Sequence, residues 1–267
     1  MTRITLIHTD QTRKFQYSWT AFFLATAAIV LALLSGCKSQ RAPDNAAAKA
    51  ATISIDPATA GSISGMVSFK GAPPKLKPLD MTQDPACPSD PQPADGVAVS
   101  GGRLADVFLY IKEGLPQGTF AVPTESVALD QKGCRYVPHV LGLMTGQQLK
   151  ILNSDKADHN IHSMSSNNPM WNESQTANSK PVLKSFANPE MMIPVQCNQH
   201  PWMRAYINVM SHPYFAVTGA DGSFTIKNLP PGEYTLAAVH EKLGEQVLKV
   251  KVGPKMDSDA RFTFSAQ

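Results

Sequence analysis

The sequence predicts an all-β protein built of packed sandwiches, not a closed barrel. Apolar and polar residues alternate in short runs bounded by Gly, Pro, Asn and Asp, the signature of half-buried antiparallel strands. Beyond the first 36 residues no segment sustains a helical period over about 12 residues. Gly 17 and Pro 21 among 267 residues, about one in seven, supply turns and argue against a helical bundle. A 43% hydrophobic content is enough for a packed core, and the length suits one or two domains. A net charge of +3 is too small for a nucleic-acid binder that works by neutralising phosphates.

Residues 1–36 read as an address. Arg3, Arg13 and Lys14 form a basic start, and residues 19–34 are apolar and uncharged. That stretch is shorter than the roughly 20 residues a spanning helix needs. Leu34-Ser35-Gly36-Cys37 then places small residues before a cysteine. The order resembles a bacterial lipoprotein signal, cleaved before Cys37, whose thiol receives the lipid. An uncleaved signal anchor is the alternative. The resemblance implies a periplasm-facing lipoprotein of the cell envelope, attached to the membrane through Cys37. Lys38 in place of an Asp favours the outer membrane in a Gram-negative cell. Without residues 1–36 the net charge falls to +1, so most of the positive balance belongs to the address.

Residues 37–58 are rich in Ala, Ser and Pro without an apolar period, and read as a flexible tether. A first domain is expected over 59–212. Its strand signals include Ile63/Val67/Phe69, Val107/Leu109/Ile111, Leu149/Ile151 and Tyr206 to Met210. A second unit is expected over 213–267. There Asp221-Gly222 signals a hairpin turn, and Phe224/Ile226, Tyr234/Leu236/Ala238 and Leu248/Val250/Val252 alternate. The run DGSFTIKNLPPGEYTLAAVH resembles the carboxypeptidase regulatory-like, or transthyretin-like, β-sandwich repeat. GSISGMVSFKG, residues 61–71, resembles that family's first strand, so the two ends of the chain are candidates to meet in one domain.

Export implies an oxidising compartment. With Cys37 lipidated, three cysteines remain and one stays unpaired within a monomer. Liganding residues surround Cys197 and not Cys87 or Cys134. The simplest assignment is a Cys87–Cys134 disulfide with Cys197 left for a metal. A buried inert thiol, or a bond from Cys197 to one of the others, remains open.

Residues 197–203 read Cys-Asn-Gln-His-Pro-Trp-Met. A thiolate, an imidazole and a thioether are soft or borderline donors that suit copper far better than magnesium or calcium. Zinc could use Cys197, His200 and an upstream histidine, but Met203 is a poor zinc ligand. Upstream, TGQQLKILNSD leads to His159-Asn160-Ile161-His162. This pairing of a strand and His-Asn segment with a Cys-x-x-His-x-x-Met loop resembles the cupredoxins, the blue-copper proteins, and the loop is similar to that of amicyanins. The resemblance implies a Greek-key β-sandwich holding one copper ion that cycles between Cu(I) and Cu(II). It makes His159, Cys197 and His200 the equatorial ligands and Met203 the weak axial one. It casts Asn160 as the residue that ties the two ligand loops together by hydrogen bonds.

The resemblance also implies a one-electron carrier that is not an enzyme, since four protein ligands leave no position for a substrate. It makes His200 an exposed exit for electrons, with Pro201 and Trp202 on the rim where redox partners of the envelope dock. His162 competes with His159, but residues 159 and 162 point to opposite faces of a strand, so one binds. His139 reads as a packed or turn histidine, and His212 and His240 fall in or near the second unit. Met144, Met164, Met170, Met191, Met192 and Met210 are irregularly spaced and read as core filler. A copper chaperone or store, and a metal-free surface assembly protein, are the alternative functions.

Overall fold

The computed structural model describes residues 51–266. The address, the lipidation residue Cys37 and residues 37–50 of the tether lie outside the described residues. The described chain contains no helix and runs through β1 (Gly61–Lys70), β2 (Val99–Ser100), β3 (Arg103–Leu104), β4 (Phe108–Glu113), β5 (Val127–Gln131), β6 (Tyr136–Val137), β7 (Val140–Met144), β8 (Leu149–Asn153), β9 (His159–Ser163), β10 (Trp171–Gln175), β11 (Val182–Lys184), β12 (Glu190–Gln196), β13 (Arg204–Met210), β14 (Phe215–Val217), β15 (Ser223–Leu229), β16 (Gly232–His240), β17 (Gly244–Val252) and β18 (Asp257–Ser265).

These strands form two sandwiches. In one, a sheet ordered β15-β1-β3-β2, with β18 also on β1, faces a sheet ordered β14-β4-β16-β17. Alternation drives this: Ile63, Val67 and Phe69 of β1 turn inward against Leu109, Ile111, Leu236, Phe262 and Phe264. In the other, β10-β9-β12-β13-β7 faces β11-β8-β5-β6. Its core holds Leu129, Leu143, Ile151, Ile161, Val195 and Ile207, and it also takes in Cys197 and Met203.

The sandwich architecture is as the alternation predicts, but the boundary at 212/213 does not divide it. β1 pairs antiparallel with β15 and parallel with β18, and β4 pairs with β14 and β16. Residues 61–113 therefore build the same sandwich as residues 215–265, and residues 127–210 form the other as an insert. Nor is every pairing antiparallel. β1–β18, β5–β8 and β7–β13 are parallel, because the chain crosses to another sheet before it returns.

Two further expectations are corrected. The Asp221-Gly222 turn is tight, with Gly222 N–H donating to Gly219 O at 2.9 Å, yet β14 and β15 lie in different sheets. The turn is seated on β1 instead: Val67 N–H donates to Gly222 O, and a Cβ on Gly222 would lie 2.5 Å from the Val67 carbonyl. The hairpins of this sandwich are β2–β3, joined by Gly101-Gly102, and β16–β17, closed through Gly244. The tether's last residues are also not free. Ile53 N–H donates to Thr119 O at 2.7 Å, and Ile55 packs on the core.

The sandwiches meet through Phe108, Val140 and Met210, with the rings of Phe108 and Phe215 stacked 5.6 Å apart. Beside them, His139 offers one ring nitrogen to Glu241 at 3.0 Å and the other to the Arg204 carbonyl at 3.1 Å. Two acceptors call for two N–H donors, hence the imidazolium. Burial alone would depress the His139 pKa, but Glu241, through its hydrogen bond and charge, together with Asp95 and Asp106, raises it above the ordinary value. Burial would raise Glu241, but hydrogen bonds from His139 and Tyr206 and the charge of His139 pull it down to about 2.

The signs give a window. Stabilisation from a raised imidazole is complete below the ordinary value of 6.5 and is lost as pH rises through the folded value. Stabilisation from a depressed carboxyl is complete above 4.5 and is lost as pH falls toward 2. Glu241→Gln is therefore expected to lower unfolding free energy most between pH 4.5 and 6.5, by about 2 kcal/mol. Denaturant titrations across pH check this, and a difference that does not change with pH would contradict it.

Candidate metal centre

β9 and β12 are antiparallel neighbours, with Val195 opposite Ser163 and Gln196 opposite His162. Continuing that register places His159, at the start of β9, beside the loop that leaves β12 at Cys197. The loop is closed on itself. Met203 N–H donates to His200 O at 2.9 Å, and Cys197 N–H donates to Met203 O at 3.3 Å. The turn folds the His200 ring back over Cys197.

The His159 and His200 Nδ1 atoms lie 2.9 Å apart, and Cys197 Sγ lies 3.7 Å from His200 Nδ1. The ligand atoms of these three residues all lie within 4.8 Å of one another. His159 is 0% exposed, Cys197 3% and His200 4%. Met203 is fully buried in the same core as Cys197. Two other groupings of His, Asp and Cys occur nearby, but each draws on Cys87 or Cys134. Those two are joined as a disulfide and have no thiolate to offer. Cys197 is the free thiol of the described residues.

Each imidazole is fixed from behind. His159 Nε2 lies 2.9 Å from Asp155 Oδ2, and His200 Nε2 lies 3.0 Å from Asp84 Oδ2. A carboxylate accepts, so in the neutral rings both Nε2 atoms carry the proton and both Nδ1 lone pairs point inward. Burial holds His159 below the ordinary imidazole value, against the opposing pull of Asp155, which favours the neutral ring that binds metal. Two ring nitrogens 2.9 Å apart beside a buried thiol form a donor set of the kind that holds a metal ion.

Asn160 links the two segments. Its backbone N–H donates to Cys197 Sγ at 3.4 Å, its side-chain oxygen accepts from Asn198 N–H, and its amide donates to Asn172. Tyr136 donates its hydroxyl to the Asn160 carbonyl. His162 stands apart from the three-residue group, half-buried, with Nδ1 3.4 Å from Asn198 Oδ1.

His200 is not the exposed exit expected from the sequence. Asp84 covers its Nε2, and Cys87 Sγ lies 4.0 Å from the same atom. Pro201 is exposed. Trp202 is half-buried, with its ring 5.0 Å from the His200 ring and its N–H donating to Cys134 O at 3.0 Å. Trp202 also lines a cavity of about 240 Å³ with Asp95, His139 and Glu241. Sequence reasoning missed Asp84 and Asp155. Asp155 stands four residues before His159, a local signal. Asp84 reaches His200 only through the chain's long-range folding.

A family model for the β-sandwich domain of ER membrane protein complex subunit 7 matches residues 196–266, in place of the transthyretin-like family expected for the C-terminal segment. No curated protein matches the chain. Among solved structures, the chain is similar to a copper-containing nitrite reductase from Thermus scotoductus, at 18% identity over 38% of this chain, with a TM-score of 0.31. It spans 26% of that reductase, about a quarter. It is also similar to a purple cupredoxin from Nitrosopumilus maritimus, at 19% identity over 31% of this chain and 98% of the cupredoxin, with a TM-score of 0.27. An amicyanin from Paracoccus versutus matches at 17% identity over 38% of this chain and 97% of its own, with a TM-score of 0.29.

Asn160→Ala removes the acceptor for Asn198 N–H and the amide bond to Asn172 while leaving the ligand set in place. The metal-free protein is expected to lose about 1–3 kcal/mol of stability in a denaturant titration. Unchanged stability would show that the two loops are held together by other contacts.

Proposed function

We propose that this protein is a mononuclear copper protein that carries single electrons and catalyses no reaction of its own. The observation that supports this is the convergence of Cys197 Sγ with the Nδ1 atoms of His159 and His200 in a site closed to solvent. One thiolate and two imidazoles suit copper, and the buried thioether of Met203 is the candidate for a weak axial ligand. When bound, copper supplies a one-electron couple between Cu(I) and Cu(II).

The chain's own residues do the rest. Asp155 and Asp84 hold the imidazoles in one tautomer and one orientation. The Asn160 backbone N–H donates to the Cys197 sulfur and so withdraws charge from it. A rigid, hydrogen-bonded pocket moves little between two charge states, which keeps the cost of reorganisation low. Because Asp84 and the disulfide cover His200, we place the electron's exit at Trp202, half-buried against the His200 ring. The redox partners are other proteins of the cell envelope, with the membrane reached through a lipid on Cys37. A sealed single site also argues against a chaperone, which must hand its ion over.

A second reading is a metal-free assembly module. It is favoured by the match of residues 196–266 to a β-sandwich domain of a membrane-protein complex subunit. The two readings part on one experiment. Purified soluble protein is titrated with Cu(II) beside Cys197→Ser, and the visible spectrum is recorded. The copper reading expects one copper per chain with an intense thiolate-to-copper band in the wild type, and loss of that band in Cys197→Ser. A colourless wild type without bound copper would support the assembly module.

A further inference from the structure

The two carboxylates behind the histidines come from distant parts of the chain, yet both are anchored at one disulfide. On one side, residues 81–87 form a turn in which Cys87 N–H donates to Asp84 O at 3.0 Å and Ala86 N–H donates to Asp84 Oδ1 at 2.8 Å. This leaves Asp84 Oδ2 aimed at His200. On the other side, Gly133 and Cys134 adopt consecutive positive φ values of 65° and 54°. Successive left-handed residues turn their N–H groups the same way and form a concave anion seat. Here both donate to Asp155, Gly133 at 2.6 Å and Cys134 at 2.8 Å. A left-handed cysteine is disfavoured by about 1 kcal/mol or more, and its surroundings must hold it there. Cys134 is held on three sides: its N–H by Asp155, its carbonyl by Trp202 of the ligand loop, and its sulfur by Cys87.

We infer that Asp84 and Asp155, both anchored at the Cys87–Cys134 disulfide, are positioning residues that present the Nδ1 atoms of His200 and His159 to the metal and keep the bound ion from leaving. This rests on the copper reading above. It adds that the His200 imidazole is aligned and covered by a segment outside the insert, residues 81–87, which the disulfide pins there, while Asp155 aligns His159 from within the insert. A ring that donates Nε2–H to a carboxylate is a stronger electron donor at Nδ1, so each carboxylate also favours the more highly charged ion. Freed of Asp84, the His200 ring can turn and its outer edge meets solvent.

The test uses Cu(I)-loaded protein mixed with excess bicinchoninate, with the rate of copper transfer followed optically and the reduction potential measured by voltammetry. Asp84→Ala and Asp155→Ala are each expected to release copper about tenfold faster than wild type and to shift the potential upward. The Cys87→Ser/Cys134→Ser double variant is expected to do both. Thermal melts of the metal-free variants show which remain folded. Asp84, partly exposed at the rim, provides the variant to use if the double variant does not fold. A contribution to folding alone would lower the melting temperature without moving the potential. Release rates within twofold of wild type and unshifted potentials, with one copper per chain still bound and Cys197→Ser still unable to bind it, would overturn this positioning role and leave the copper reading standing. A wild type that takes up no copper would overturn both.

Discussion

Two imidazole nitrogens that face each other at 2.9 Å with a thiol at 3.7 Å set the main constraint on this structure. Two ring nitrogens at that distance share a proton or a cation. Their approach is maintained by the backs of the rings, where Asp155 and Asp84 accept the Nε2 protons. It is maintained as well by the strand pairing of β9 with β12, which sets His159 against the 197–203 loop. Each histidine has one strong polar contact besides the other ring, so each of these contacts helps to fix a donor atom.

The scaffold answers to the same constraint. The insert's sandwich supplies both ligand segments, and its core takes in Cys197 and Met203 as it takes in Ile161 or Val195. The outer sandwich contributes through residues that connect it to the insert. Residues 81–87 lie between β1 and β2 and are bonded to Cys134 of the insert. Glu241 reaches from the β16–β17 hairpin to His139, just before β7. The two sandwiches are therefore coupled beside the candidate site, by a covalent bond and a buried ion pair. Trp202 lies between those two links.

Much of this was legible in the chain. Alternation in β1 and β8 reported the inward faces, because burial on one side of a sheet acts on alternate residues, whereas β16 is buried on both faces from Tyr234 to Ala238. The 197–203 motif and the His-Asn segment are local, so the residue types themselves carry the donor chemistry. The partition between the sandwiches was legible only in part. The resemblance of residues 61–71 marked β1 as a candidate to join the C-terminal unit, which it does, but strand partners are fixed by long-range fit, and nothing local in β4 showed that it pairs with β14 and β16. The Asp221-Gly222 turn shows the same limit: its residues specify a tight reversal but not which sheet receives the next strand. Asp84 was hidden for a related reason. It lies 116 residues from His200 in sequence and is brought beside it by the fold, next to a disulfide that spans 47 residues. A motif can name a ligand without showing what covers it.

X-ray absorption at the copper edge of the loaded protein counts the atoms bound to the metal whatever the protein does with it. If one sulfur and two ring nitrogens hold a single ion, the wild type shows one short sulfur contact and two imidazole nitrogens, and Cys197→Ser lacks the sulfur contact. A first shell of oxygen and nitrogen alone, identical in the two proteins, would contradict that donor set.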